Sequence, residues 1–522
     1  ADRDAVFVLE KPGSLDGDPD APTIVLSLVD DAEAVQAMTA SGCAPPLDRE
    51  PEGFGLRRCG TSTLWVAGAD PAGLLYGGYE LAEQLALFGW DGVRDTDQNP
   101  HLAMRGTKFN LPLDVRTPTY SDPGEAAQVN MPVMWELDFW KEYIDNLARH
   151  RYNFVSLWSL HPFPSLVKVP EYPDVALDDV KRSTSMKRKR YELSGRGFDS
   201  PEIMGELETI RVMGIDEKIA HWRQVMEYGK TRNVHFYVVT WNIYPYGIDP
   251  AHGITADFRN PTTVDYYRAS VRQLFETYPD LAGIGLTTGE NIPGATFQEK
   301  EDWAFATYGR GVLDVVERQP DRRITFIHRQ HEARATAISK TFGPLVAHEN
   351  VDFIFSFKYA KAHSYSSTTQ AWHPPFVEDI TAAGGLKTIW TLRNDDNYLF
   401  RWGAPDFVRE FITNIPYDVS QGYYFGSDGY VWGREFVDRW PTARQRLAVD
   451  KHWFSWLLWG RLGYDPGLGN DRLASLLERE YPGVDGAVLL SALLDASMVS
   501  PLTTGVHWGA PDFVREFIEK IP

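Results

Sequence analysis

The sequence predicts an α/β protein built on a (β/α)8 TIM barrel, with an α+β accessory unit before it and a helical region after it. Three observations carry that expectation. From Met104 onward, short apolar runs alternate with amphipathic helical stretches, the pattern of a parallel sheet covered by helices. Eight such runs can be counted before residue 436, the number a closed barrel needs. Nearly every run ends in charged, amide or aromatic residues, and in a barrel those ends converge on one face.

The elements follow in order. Residues 1–100 read as the α+β accessory domain, with strand-like TIVLSLV (23–29) and STLWVAG (62–68). A helix follows, with Asp70 as N-cap, Pro71 at its first position and Leu74, Leu75, Leu81, Ala82 and Leu85 as its apolar stripe. The barrel spans 104–436. Its strands fall in MRGTKFNLPLD (104–114), NFVSLWSLHPFP (153–164), HFYVVTWNIYPYG (235–247) and LAGIGLTTGENIPG (281–294). The other four fall in RRITFIHRQHEA (322–333), VDFIFSFKYAKAHSY (351–365), LKTIWTLRNDDNYLF (386–400) and GYYFGSDGYVWGREF (422–436). An excursion between the second and third strands holds the basic run KRSTSMKRKR, expected as a solvated loop. Residues 437–522 form a helical C-terminal region in which the segment WGAPDFVREFI of 402–412 recurs at 508–518. Two copies are too few for a repeat architecture, so no function is placed on the second.

Composition narrows the function. A net charge of −20 and a pI near 5.1 argue against nucleic acid or an anionic membrane surface as partner, since both need a basic footprint. No apolar run is long enough to span a bilayer. The chain begins ADRDAVFVLE without Met, consistent with a processed periplasmic or secreted protein. The 17 Trp and 24 Tyr exceed what catalysis needs; most fill a large core, and some suit the apolar C–H faces of sugar rings. The only cysteines, Cys43 and Cys59, lie close in sequence, and spacing alone leaves their pairing open. No metal-binding, phosphate-binding or dinucleotide motif is present, and no cofactor is expected. Oligomeric state is left open.

The strand ends name the candidates. Glu290 follows the fourth strand in TTGEN, where barrel enzymes place catalytic groups; alone it could equally cap a helix. Glycoside hydrolysis needs one carboxyl to protonate the leaving oxygen and a second as base or nucleophile. Glu290 is the natural acid; Asp395 or Asp396 is the preferred partner, then Glu332. The expected substrate contacts are Trp158, His161, Trp241, Asn242, Asn291, Arg329, His331, Lys358, Arg393, Asp428 and Trp432. Arg329, Lys358 and Arg393 are cations at strand ends of an acidic protein, as an anionic sugar such as a uronate would require. Ion pairs within the protein would account for them equally well.

The segment D-P-A-G-L-L-Y-G-G-Y-E-L-A-E-Q-L (70–85) resembles the accessory domain that precedes the barrel in α-glucuronidases and β-hexosaminidases. With MRGTKFN, the GEN after strand four and the NDD after strand seven, the chain is similar to bacterial α-glucuronidase-like glycoside hydrolases. The resemblance implies the same domain order, Glu290 as acid and Asp395 or Asp396 as second carboxylate. It also implies an acid on strand six, where this sequence offers Lys358 and His363 instead. Asn394-Asp395-Asp396 in place of a strand-seven Glu favours inversion. The expected function is an exo-acting glycosidase on polysaccharide-derived oligosaccharides carrying an acidic sugar. A carbohydrate-binding protein and a polysaccharide lyase are the alternatives.

Overall fold

The computed structural model describes residues 22–46, 48–119, 124–185, 201–241, 245, 252–288, 292–330, 333–358, 367–369, 373–392, 401–427, 430–440, 442 and 446–508.

The chain opens with β1 (Thr23–Leu28), β2 (Phe54–Cys59), β3 (Thr63–Gly68) and β4 (Thr96–Gln98), paired in the order β1-β3-β2-β4. The helix Pro71–Gly92 packs on this sheet through Tyr76 and Leu81, against Phe54, Leu56, Leu64 and Val66. Asp70 caps it as expected, accepting from the Gly73 amide at 2.7 Å. Cys43 and Cys59 form a disulfide, their Cα atoms 5.6 Å apart.

The barrel is closed and its neighbouring strands are parallel. Its first two strands are β5 (Met104–Asn110) and β6 (Phe154–Trp158). Between the second and third barrel strands, β7 (Val180–Ser183) and β8 (Leu207–Arg211) form an antiparallel hairpin. The barrel resumes with β9 (His235–Thr240), β10 (Leu281–Thr287), β11 (Ile324–Arg329), β12 (Val351–Lys358), β13 (Lys387–Leu392) and β14 (Ser420–Phe425). All eight expected strands are present, each shorter than the run that announced it.

The hairpin corrects one expectation. Lys181 and Arg182 of the basic run belong to β7, and Arg182 pairs with Glu208 of β8 at 2.7 Å; residues 186–190 lie outside the described segments. Asp114 holds the hairpin to the barrel by accepting from the Lys181 amide at 2.7 Å. Lys218 fastens the same region, donating to the carbonyls of Leu177 and Asp179; burial lowers its ammonium to a pKa of about 8.

Two apolar layers result. The outer faces of the strands pack on the surrounding helices, with Phe109, Trp140, Tyr143, Phe236 and Phe425 among the contacts. The interior holds Phe154, Trp158, Tyr237, Val239, Trp241, Ile327, Ile354, Ile389 and Tyr424. It is a filled core rather than a pore, as barrels of this size require. Burial pushes the Tyr237 phenol up to about 12, so it stays neutral there. The glycines of β10 make room for these side chains. A Cβ on Gly283 would sit 2.2 Å from the Thr325 carbonyl oxygen, and one on Gly285 would sit 3.0 Å from Val239. That close approach explains the Gly-interrupted wording of this strand.

Among the described residues a one-turn helix, Ala448–Lys451, and three longer ones, Trp453–Tyr464, Asn470–Glu480 and Gly486–Trp508, follow the barrel. The first copy of the duplicated segment supplies the helix Pro405–Thr413, whose Phe407, Val408, Phe411 and Ile412 are buried. Beyond Trp508 the second copy lies outside the described residues.

Candidate active site

Strand parity decides which side chains enter the barrel. On β5 the inward positions alternate as Met104, Gly106, Lys108 and Asn110. Gly106 is small because the Phe154 ring fills the space its Cβ would take, 2.1 Å away. Two residues further on, the Lys108 ammonium lies 4.7 Å from the centre of the Trp158 ring, with Lys108 only 2% exposed. The Arg329 guanidinium, at the end of β11, lies 5.3 Å from the same ring. Two cations thus share one indole at the carboxyl ends of the strands, each attracted by the negative ring face.

Trp241, just past β9, meets Trp158 edge-on with ring centres 5.0 Å apart. The Trp158 indole N–H donates to Ser156 Oγ at 2.9 Å, which fixes the ring's rotation. Ser356 Oγ shares hydrogen bonds with Tyr424 OH at 2.7 Å and Thr391 Oγ1 at 3.1 Å, and the Tyr424 ring lies 6.2 Å from the Trp158 ring. Asn110 donates to the carbonyls of Ser427 and Tyr430, tying β5 to the loop after β14. The described part of the barrel end is therefore aromatic and cationic, with a hydroxyl cluster adjoining it through Tyr424.

The structure brings Trp158, Trp241 and Arg329 together as expected from their strand ends. It places two other candidates elsewhere. His161 is fully buried, its Nε2 3.0 Å from Tyr266 OH, among the rings of Phe163, Tyr266 and Tyr267. Trp432 is 1% exposed and packs on Tyr430, His452 and Trp456. Both sit in the layer between barrel and helices, because a residue beyond a strand end can turn either way. His328, one residue before Arg329 on β11, also faces outward, against Phe342, Phe353 and Phe355. Lys358 ends β12, and only its backbone is described. Asn242, Glu290, Asn291, His331, Glu332, Arg393, Asp395, Asp396 and Asp428 lie outside the described residues.

Sequence reasoning missed Lys108, Ser356, Thr391 and Tyr424. The signal for Lys108 was legible in the period of two along MRGTKFN, which puts it on the side of Gly106 rather than of Phe109. Among the described residues no group of three or more His, Cys, Asp or Glu side chains is arranged to hold a metal ion.

This closed barrel with a preceding α+β sheet is a fold found in glycoside hydrolases. A GH138 enzyme targeting pectin rhamnogalacturonan II superposes with a TM-score of 0.70 at 18% identity, over 93% of this chain and 56% of that one. A GH20 β-N-acetylhexosaminidase from Streptomyces coelicolor A3(2) gives 0.50 at 13% identity, over 89% of this chain and 92% of that one. A GH115 4-O-methyl-α-glucuronidase with specificity for decorated arabinogalactans gives 0.48 at 12% identity, over 93% and 57%. The chain thus spans a little over half the length of the first of these structures. No family model matches the chain, and no curated protein matches it by sequence.

Proposed function

We propose that this protein is a glycoside hydrolase, α-glucuronidase-like and exo-acting, that removes an acidic sugar from polysaccharide-derived oligosaccharides. The observation that carries the reading is the pair of cations, Lys108 and Arg329, at 4.7 and 5.3 Å from the Trp158 ring inside the barrel end. A uronate presents an apolar ring face and a carboxylate, and indoles beside buried cations offer a partner for each. A structural neighbour that targets pectin rhamnogalacturonan II supports an acidic polysaccharide as the source.

The residues that follow β10 and β13 supply the chemistry in this reading. Glu290 donates its proton to the glycosidic oxygen as the C1–O bond breaks. Asp395 or Asp396, with Glu332 behind them, acts as second carboxylate. It takes a proton from the water that attacks C1, or attacks C1 itself, and the separation of the two carboxyls selects between these courses. Asn242, Asn291, His331, Lys358, Arg393 and Asp428 belong to the same strand ends and serve as substrate contacts.

The test is a panel of aryl glycosides and acidic oligosaccharides with Glu290→Gln and Asp395→Asn. The expected result is a folded protein that no longer releases sugar after Glu290→Gln. Full activity in that variant overturns the assignment of the acid. An unsaturated, ultraviolet-absorbing product would replace hydrolysis by β-elimination, and binding without release would make the protein a carbohydrate-binding module.

A further inference from the structure

The end of β10 is gripped on both faces just before Gly289. On the inner face Thr287 Oγ1 accepts from the Arg329 guanidinium at 3.4 Å. On the outer face the Thr288 hydroxyl donates to Glu301 Oε1 at 2.9 Å, and Glu301 Oε2 lies 2.7 Å from His328 Nε2. Glu301 is on the helix Phe297–Ala304 and His328 on β11, so one carboxylate joins a strand end, the next strand and the intervening helix.

The trio is sealed. Thr288, Glu301 and His328 are 1%, 3% and 0% exposed. His328 Nδ1 has no hydrogen-bond partner among the described residues, which leaves Nε2 as the nitrogen that donates to the carboxylate. A buried carboxylate is costly unless its oxygens are bonded, and here each oxygen is engaged by one of the two partners. A strand end that needed only to be held could be packed with apolar side chains. A carboxylate with two directed bonds fixes its angle as well as its place.

We infer that Thr288, Glu301 and His328 are positioning residues that fix the end of β10 from which the chain runs on, two residues later in sequence, to Glu290. The inference rests on the proposed role of Glu290. Proton transfer is sensitive to displacement of the donor, and about 1 Å of misplacement can cost on the order of a hundredfold in rate.

The experiment uses steady-state kinetics on the acidic substrate found for the unmutated protein. Thr288→Val keeps the shape of the side chain and removes the donor. Thr288→Ser restores it, and Glu301→Gln removes the charge while keeping the outline. Thermal melting identifies the variants that remain folded. The expected result is a kcat lower by roughly tenfold to a hundredfold in Thr288→Val with KM little changed, and recovery of kcat in Thr288→Ser. Combining Thr288→Val with Glu301→Gln should cost little more than either alone, since the residues act as a unit. An unchanged kcat in folded Thr288→Val overturns the inference, as does a rise in KM alone. If Glu290→Gln is inactive while Thr288→Val turns over normally, only the positioning role fails. If Glu290→Gln retains full activity, the proposed acid fails first and the inference falls with it.

Discussion

The Glu80 carboxylate lies 3.0 Å from the Arg461 guanidinium, joining the helix that covers the N-terminal sheet to the helix Trp453–Tyr464 beyond the barrel. Arg472 donates to its other oxygen at 2.6 Å and Gln84 adds an amide at 3.0 Å. Arg151, which follows the barrel's first covering helix, approaches to 3.9 Å. Four elements far apart in sequence thus meet on one buried acid, 2% exposed.

Replacing Glu80 by Ala should leave Arg461, Arg472 and Arg151 with Glu83 as their remaining carboxylate, 2.7 Å from Arg461 and 3.7 Å from Arg472. Removing one partner of a buried ion pair costs about 3–5 kcal/mol, and a denaturant titration of Glu80→Ala should show a loss of that order. The pH dependence follows from the carboxyl's own shift. Burial pushes the Glu80 carboxyl up, but Arg461, Arg472, Arg151 and Gln84 outweigh it and hold it below its ordinary value of 4.5. A group depressed in the folded state stabilises above its unfolded pKa and loses that contribution as pH falls through the folded one. The unmutated protein should therefore lose stability below about pH 4.5 more steeply than Glu80→Gln does.

Lys108→Met and Arg329→Met separate charge from bulk at the barrel end. Losing a hydrogen bond to a charged group costs about 1.5–3 kcal/mol, roughly tenfold to a hundredfold in kcat/KM. The loss should appear with uronic substrates and be small with the matching neutral sugar. Equal losses on both would mean that the cations serve folding rather than recognition.

Gly283→Ala should destabilise more than Gly285→Ala. The first new methyl meets a backbone carbonyl oxygen at 2.2 Å, which cannot yield without moving β11; the second meets the Val239 side chain at 3.0 Å and the Ile327 carbonyl oxygen at 3.2 Å, a milder overlap. Overpacking of this kind costs about 1–3 kcal/mol, and the order of the two melting temperatures is the check.

The barrel was legible because parallel strands buried on both faces are written in nearly continuous apolar residues, as in FIFSF of β12. Asp70 and Pro71 announced their helix by local chemistry alone. The site was harder to read. Strand ends drew attention to Trp158, Trp241 and Arg329, which do converge. The same reasoning took His161 and Trp432 for neighbours of the substrate, although they point into the helical layer.

The sequence by itself determined the eight-strand order, the capped helix before the barrel and the residues at each strand's end. These depend on periodicity and on contacts between near neighbours in the chain. Only the tertiary structure decided that Cys43 reaches Cys59, that Lys108 and Arg329 share one indole, and that Glu301 bonds both Thr288 and His328. Each of these joins different elements, and their approach is set by barrel closure and packing, which local sequence patterns do not encode. TTGEN in sequence is a strand end that could equally cap a helix; in the fold Thr287, the last residue of β10, and Thr288 just after it are held from opposite sides.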